Sequence, residues 1–110
     1  MSLSIVIAER AEEDMALQYI WYKDNADPQV AERYLRAVDE TIYQIARFPD
    51  LGLRRHFKSP ALACIRSLAT GRPFDKHIVF YQVDTLLRIE RVIHGARDLP
   101  RRLLDPPDAP

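Results

Sequence analysis

The 110-residue sequence is poor in the residues that announce most catalytic and cofactor chemistry. Its single cysteine, Cys64, permits no internal disulfide, and a thiol nucleophile would need an activating histidine or cation beside it. Set among Ala61, Leu62, Ala63 and Ile65, Cys64 reads as a buried or half-buried strand residue. Gly71 and Gly95 stand alone, and no glycine-rich run with Lys-Ser/Thr follows a strand, which excludes the common nucleotide loop. His56, His77 and His94 are far apart, with neither an HExxH pattern nor a cysteine pair, so neither metal nor cofactor is expected. A Gly-x-Ser-x-Gly elbow is also missing. The N-terminal apolar run, Leu3 to Ala8, is too short for a signal core or a membrane span and has no positive leader, which predicts a cytoplasmic protein without membrane contact.

Net charge is absent too, with 16 Lys/Arg against 16 Asp/Glu, but the balance hides a split. Residues 1–50 hold 5 basic and 10 acidic groups, whereas residues 51–110 hold 11 and 6, so the halves carry −5 and +5. Strands from the second half on one side and helices from the first on the other would make a bipolar domain. Its basic side could then meet an acidic peptide or a phosphate backbone, or the charges could be ordinary solvated surface.

What is present is a hydrophobic content of 47%, ample for one small domain spanning residues 1–104. Ser2 to Ala8 alternates as a short strand. From Arg10 to Lys23 the period becomes helical, with Glu12, Glu13 and Asp14 favouring the N-terminal dipole and Met15, Ala16, Tyr19, Ile20 and Tyr22 forming an apolar stripe flanked by Trp21. Asp24-Asn25-Ala26-Asp27 breaks that helix. Asp27 then caps a second one and Pro28 opens it, proline having no N–H to leave unpaired. Ala31, Leu35, Val38, Ile42 and Ile45, widened by Tyr34 and Ala46, keep helical spacing until Phe48-Pro49.

Residues 50–60 read as a loop with a basic tip of Arg54, Arg55 and Lys58, and Ala61 to Leu68 as a strand. After the turn 69–75, His77 to Val83 carries bulky groups on both parities, as a strand inside a sheet does. Asp84-Thr85 turns it into a partner in which Leu87, Ile89, Arg91 and Ile93 oppose Leu86, Arg88, Glu90, Val92 and His94. Leu99 to Leu104 predicts one helical turn docking Leu99, Leu103 and Leu104. The tail 105–110, with three prolines, is expected to be disordered. The predicted class is α+β and two-layered: an N-terminal strand, an antiparallel helical hairpin, then a three-stranded antiparallel meander. The first strand is expected beside the last and antiparallel to it.

The groups left for chemistry are basic. Metal-free RNA cleavage needs a base for the 2′-hydroxyl and cations on the phosphate; His94 or His77 could supply the first, Arg66 or Arg91 the second. The arginines could equally be paired or solvated strand residues. His94-Gly95-Ala96-Arg97-Asp98 can be read as a structural clasp, with Asp98 capping the terminal turn and Arg97 holding it to the sheet, or as the base of a functional surface. Trp21, Tyr22, Arg72 and Arg88 are candidate anchors for a partner laid across a groove or added to a sheet edge.

Taken together, Phe48-Pro49-Asp50-Leu51-Gly52, His77-Ile78-Val79-Phe80-Tyr81-Gln82-Val83 and Arg91-Val92-Ile93-His94-Gly95-Ala96-Arg97-Asp98, behind a strand and two helices, resemble the ParE branch of the RelE/ParE toxins of plasmid-stabilisation (toxin–antitoxin) systems. The resemblance covers roughly residues 3 to 104. It implies a toxin neutralised by a ParD-like antitoxin, for which the residues themselves offer Trp21, Tyr22, Arg72 and Arg88 as contacts. It also implies DNA gyrase as the target, for which the C-terminal residues His94, Arg97, Leu99, Arg101 and Arg102 are the candidate surface. The ribonuclease branch of the same superfamily implies the alternative set Arg66, Arg91, His94 and His77, although no terminal tyrosine is present. A third possibility is an inactive antitoxin-binding module, and a homodimer is compatible with each.

Overall fold

The computed structural model describes residues 2–95 and 99–107; Arg97 and Asp98 of the C-terminal motif and residues 108–110 of the tail lie outside the described residues. The sheet is built around β4 (His77–Val83), whose neighbours are β3 (Arg66–Ala69) and β5 (Leu87–His94), both antiparallel to it. Apolar groups on both parities account for that central place: Val79 and Tyr81 enter the main core, and Phe80 a second cluster on the other face. The expected meander is therefore present. Two short edge strands, β1 (Ile5–Ile7) and β2 (Leu53–Arg54), complete the five-stranded order β1-β5-β4-β3-β2.

Helices α1 (Glu9–Asn25) and α2 (Pro28–Arg47) form the expected hairpin. Asp27 caps α2 by accepting a hydrogen bond from the Val30 amide at 3.0 Å, one place before Pro28. The spacing that marked α2 as amphipathic is largely realised: Ala31, Tyr34, Val38, Ile42, Ile45 and Ala46 are buried, while Leu35 is half-buried. Helix α1 behaves differently. It buries Ala11 and Gln18, while Ala16, Ile20 and Trp21 of its apolar stripe remain exposed.

Four expectations are corrected. First, β1 lies beside β5 but parallel to it, pairing Ile5 with Leu87 and Ile7 with Ile89. The Leu3 amide donates to the Ala46 carbonyl, so the hairpin does return the chain to the start of β1. Two reversals, β3 to β4 and β4 to β5, then leave β5 running the same way as β1.

Second, residues 61–65 are not strand. Pro60–Leu62 is a 3-10 turn, and Leu62 and Ile65 are the buried residues, three positions apart. That spacing belongs to a turn and not to a period of two. Cys64 is exposed, with φ 64°. Third, β2 occupies part of the expected basic loop.

Fourth, the parity of β5 breaks midway. Phe80 faces Arg91 whereas Tyr81 faces Ile89, so Glu90 is an extra residue in a β-bulge. Beyond it the faces exchange. Leu87, Ile89 and then Val92 serve the helix-side core, while Ile93 joins Phe80 on the opposite face. That second face is covered by Leu62, Ile65 and α3 (Leu99–Leu104), which docks Leu99 and Leu103 but leaves Leu104 exposed.

Candidate functional site

The bulge brings the two hairpin histidines together. His77 pairs with His94 across β4 and β5, and their ring centroids are 4.7 Å apart at an interplanar angle of 64°. His77 is 2% exposed, walled by Tyr22, Tyr34 and Phe74, and its Nε2 lies 2.8 Å from the Tyr22 hydroxyl. Burial, helped by the neighbouring His94, lowers its pKa from 6.5 to about 4, so the ring is neutral at pH 7. His94 is exposed, and its pKa is also lowered, by partial burial first and then by the charges of Lys76 and Arg102. Burial pushes the hydroxyls of Tyr22 and Tyr34 upward. The Tyr34 hydroxyl finds no hydrogen-bond partner among the described residues. Trp21, edge-on to Tyr22 at 5.6 Å, carries the aromatic array to the surface.

The arginines of the ribonuclease set are engaged elsewhere. Arg91 is 5% exposed. Its Nε and Nη2 donate to the two Asp14 oxygens at 2.8 and 2.9 Å, and Nη1 donates to the carbonyls of Arg102, Leu103 and Asp105. Asp14 also accepts from the Val92 amide at 3.0 Å, completing the free edge of β5 past the end of β1. Arg10 takes the Leu104 carbonyl, so the C-terminal end of α3 is capped by side chains instead of by a glycine. Arg66 Nη1 donates to the Gly52 carbonyl at 2.9 Å, and its Nη2 sits 3.4 Å from Asp50.

Of the expected target surface, Leu99 is buried against Phe80 and Ile93 while Arg101 pairs with Asp105 at 3.2 Å. Of the expected partner anchors, Trp21 and Arg72 are exposed, Tyr22 is half-buried, and Arg88 pairs with Glu90 at 3.5 Å. Residue reasoning missed a groove of ≈ 470 Å³ lined by Ile7, Met15, Ala16, Tyr19, Ile20 and Leu35, with Glu12 on its rim. The Tyr19 hydroxyl donates to Glu32 there, adding a second carboxylate. The signal was in α1 itself. Ala16 and Ile20 extend its stripe past the face that Ala11 and Gln18 bury, so the helix has more apolar surface than the sheet can use. Among the described residues no cluster of three or more metal-ligating side chains occurs, and no helix is long and apolar enough to cross a membrane.

A helical hairpin on a mixed five-stranded sheet, with an open apolar groove on α1, defines a small α+β domain. Its fold is similar to that of the chromosomal ParDE TA system from P. aeruginosa. There the TM-score is 0.70 and the identity 18%, over 86% of this chain and 98% of that one. It is also similar to the YoeB dimer from Staphylococcus aureus, with a TM-score of 0.56 and 20% identity over 87% and 100%. No curated protein sequence matches significantly. The sequence model for the ParE toxin of the type II toxin–antitoxin system parDE matches residues 5–99, and the chain belongs to that family.

Proposed function

We propose that this toxin arrests DNA gyrase by binding it, with no bond-making step of its own, and that its ParD-like antitoxin fills the groove on α1. One observation carries this reading. Three of the four residues a metal-free ribonuclease would draw on are occupied: His77 is buried and bonded to Tyr22, Arg91 to Asp14 and α3, and Arg66 to Gly52. A phosphate entering this surface would meet none of these cations unpaired. The groove supports the antitoxin half. Its apolar lining suits the side chains of a short helix, and the Glu12 and Glu32 rim favours a segment that also carries Lys or Arg.

A second reading rests on His94, an exposed histidine beside His77 whose pKa is lowered by partial burial and then by Lys76 and Arg102, in the role of a general base. Purified bacterial gyrase, titrated with the chain while supercoiling, linear DNA and RNA integrity are scored in parallel, separates the two. Lost supercoiling with accumulating cleaved DNA and intact RNA is expected. Undisturbed supercoiling with RNA fragments that vanish in His94→Ala would replace the binding reading by the ribonuclease one.

A further inference from the structure

Met15 joins the groove on α1 to the main core. Apart from Met1 it is the only methionine of the sequence. Ala11, Met15, Gln18 and Tyr22 follow one another at helical spacing on the inward side of α1, and Met15, half-buried, packs there against the main core. The same side chain also lines the groove, together with Ile7, Ala16, Tyr19, Ile20 and Leu35. An unbranched thioether suits such a junction, because it is soft and turns about three bonds to fill irregular space. It is also the one group lining the groove that a mild oxidant converts from apolar to polar.

With hydrogen peroxide as oxidant, a lone pair on Sδ attacks one peroxide oxygen. The S–O bond forms as the O–O bond breaks, and the departing hydroxide takes the proton of the transferred oxygen and leaves as water. Sulfur is oxidised by two electrons and peroxide is reduced by two. The sulfoxide places a strong hydrogen-bond acceptor in an apolar groove. The side chains around it offer no free donor: Ile7, Ala16, Ile20 and Leu35 have none, Glu12 is itself an acceptor, and the Tyr19 hydroxyl already donates to Glu32 at 2.9 Å. While the groove is open, water serves the new oxygen. Beneath a docked apolar helix face that oxygen loses its water and gains no partner, so oxidation penalises the bound state more than the free one.

We propose that Met15 is a redox-modification site: peroxide converts it to the sulfoxide, and the modified groove releases the antitoxin segment and frees the toxin. This rests on the reading that the antitoxin lays an apolar helix face in the groove on α1. The coupling is reciprocal. A seated antitoxin shields the thioether, so oxidant and antitoxin compete for one surface, and reduction of the sulfoxide back to the thioether restores the seat.

The test uses the full chain and Met15→Leu, a swap of similar volume that removes the sulfur. Each is titrated with a fluorescent amphipathic helical peptide of leucine and lysine, before and after hydrogen peroxide. Mass spectrometry follows the Met15 sulfoxide and a thermal melt follows the fold. Met1 and Cys64 remain in the variant, so an effect that it lacks belongs to Met15. The oxidised natural chain should stay folded and lose about tenfold in affinity, the scale of one unpaired polar group buried on binding. Methionine sulfoxide reductases should restore that affinity, Met15→Leu should bind alike before and after peroxide, and saturating peptide should slow the oxidation. Equal binding by the oxidised and unoxidised natural chain, or a Met15 that oxidises only in denaturant, overturns the switch and leaves the groove reading intact. Binding lost because the oxidised chain unfolds also overturns it, placing the effect in the core. A Leu–Lys helix that fails to bind the unoxidised chain overturns the groove reading and the switch with it.

Discussion

Asp14 and Arg91, 77 residues apart in sequence, form a bidentate ion pair whose side chains are 8% and 6% exposed. The pair joins three elements: α1 supplies the carboxylate, β5 the guanidinium, and α3 the carbonyls that use the remaining N–H groups. Isolated, such a pair contributes little net stability, because desolvation cancels most of the attraction. Here the carboxylate also replaces a missing strand at Val92, and the guanidinium replaces the missing cap of α3.

Removing the acid strands the cation. Asp14→Ala should cost about 3–5 kcal/mol, the usual loss for an uncompensated buried charge, read as a lower urea midpoint with unchanged slope. Arg91→Met with Asp14→Leu should recover only part of this, since the α3 carbonyls stay uncapped. Faster amide exchange confined to α3 and the β5 edge would mark that residue of the loss. A single Asp14 variant as stable as the natural chain would show that the clamp is dispensable.

Tyr81 and Gly52 make the second test. A Cβ on Gly52 would lie 2.6 Å from the Tyr81 hydroxyl and 2.8 Å from the Ser67 carbonyl oxygen, closer than atoms in contact allow. Gly52→Ala should therefore destabilise by about 1–3 kcal/mol through overpacking. Tyr81→Phe should cost about 1–3 kcal/mol by leaving the Gly52 amide and the Pro49 carbonyl without their partner. The double variant should cost less than the sum, because deleting the hydroxyl removes the nearest obstacle to the methyl. Strict additivity in urea titrations would refute that coupling.

His77 ties stability to pH. Its folded pKa of about 4 lies below the unfolded value of 6.5, so between these limits the unfolded chain binds the proton that the folded chain refuses. Stability is then full above pH 6.5 and falls as pH drops through the window, by up to about 3 kcal/mol from this group. Other groups titrate there as well, so the quantity to measure is the difference in unfolding free energy between the natural chain and His77→Phe. That difference should narrow from pH 7 to pH 4. A pH-independent gap would mean that His77 titrates alike in both states.

Local chemistry made the helices and the hairpin legible. Asp27-Pro28 fixes the start of α2 because a carboxylate acceptor and a residue without an N–H serve the same helix end, and its apolar spacing names the buried face. The target and partner residues were less legible because their fate depends on neighbours remote in sequence. Arg91 alternates as a strand residue does, and nothing local signals that Asp14 will reach it. The bulge at Glu90 then reverses the parity that local reading relies on. The groove on α1 was illegible for the same reason: apolar residues on a helix are assumed to face a core until the core is seen to be full.

Cys64 is where a local expectation fails most plainly, and it yields the last test. The residue is exposed and holds φ 64°, a left-handed conformation that costs a β-carbon-bearing residue about 1 kcal/mol or more. It is set there by its neighbours: Pro60 starts the 3-10 turn, and the chain must bend after Ala63 so that Leu62 and Ile65 both reach Phe80 on the second face of the sheet. Glycine takes this conformation without the clash, although it also enlarges the unfolded ensemble by about 0.5–1 kcal/mol. Cys64→Gly should thus be neutral to mildly stabilising, whereas Cys64→Val, with its branched Cβ, should lower the urea midpoint. The native thiol should react with a disulfide reagent in full and without denaturant. Slow labelling that waits on global unfolding, together with a destabilised glycine variant, would return Cys64 to the buried strand position its apolar neighbours suggested.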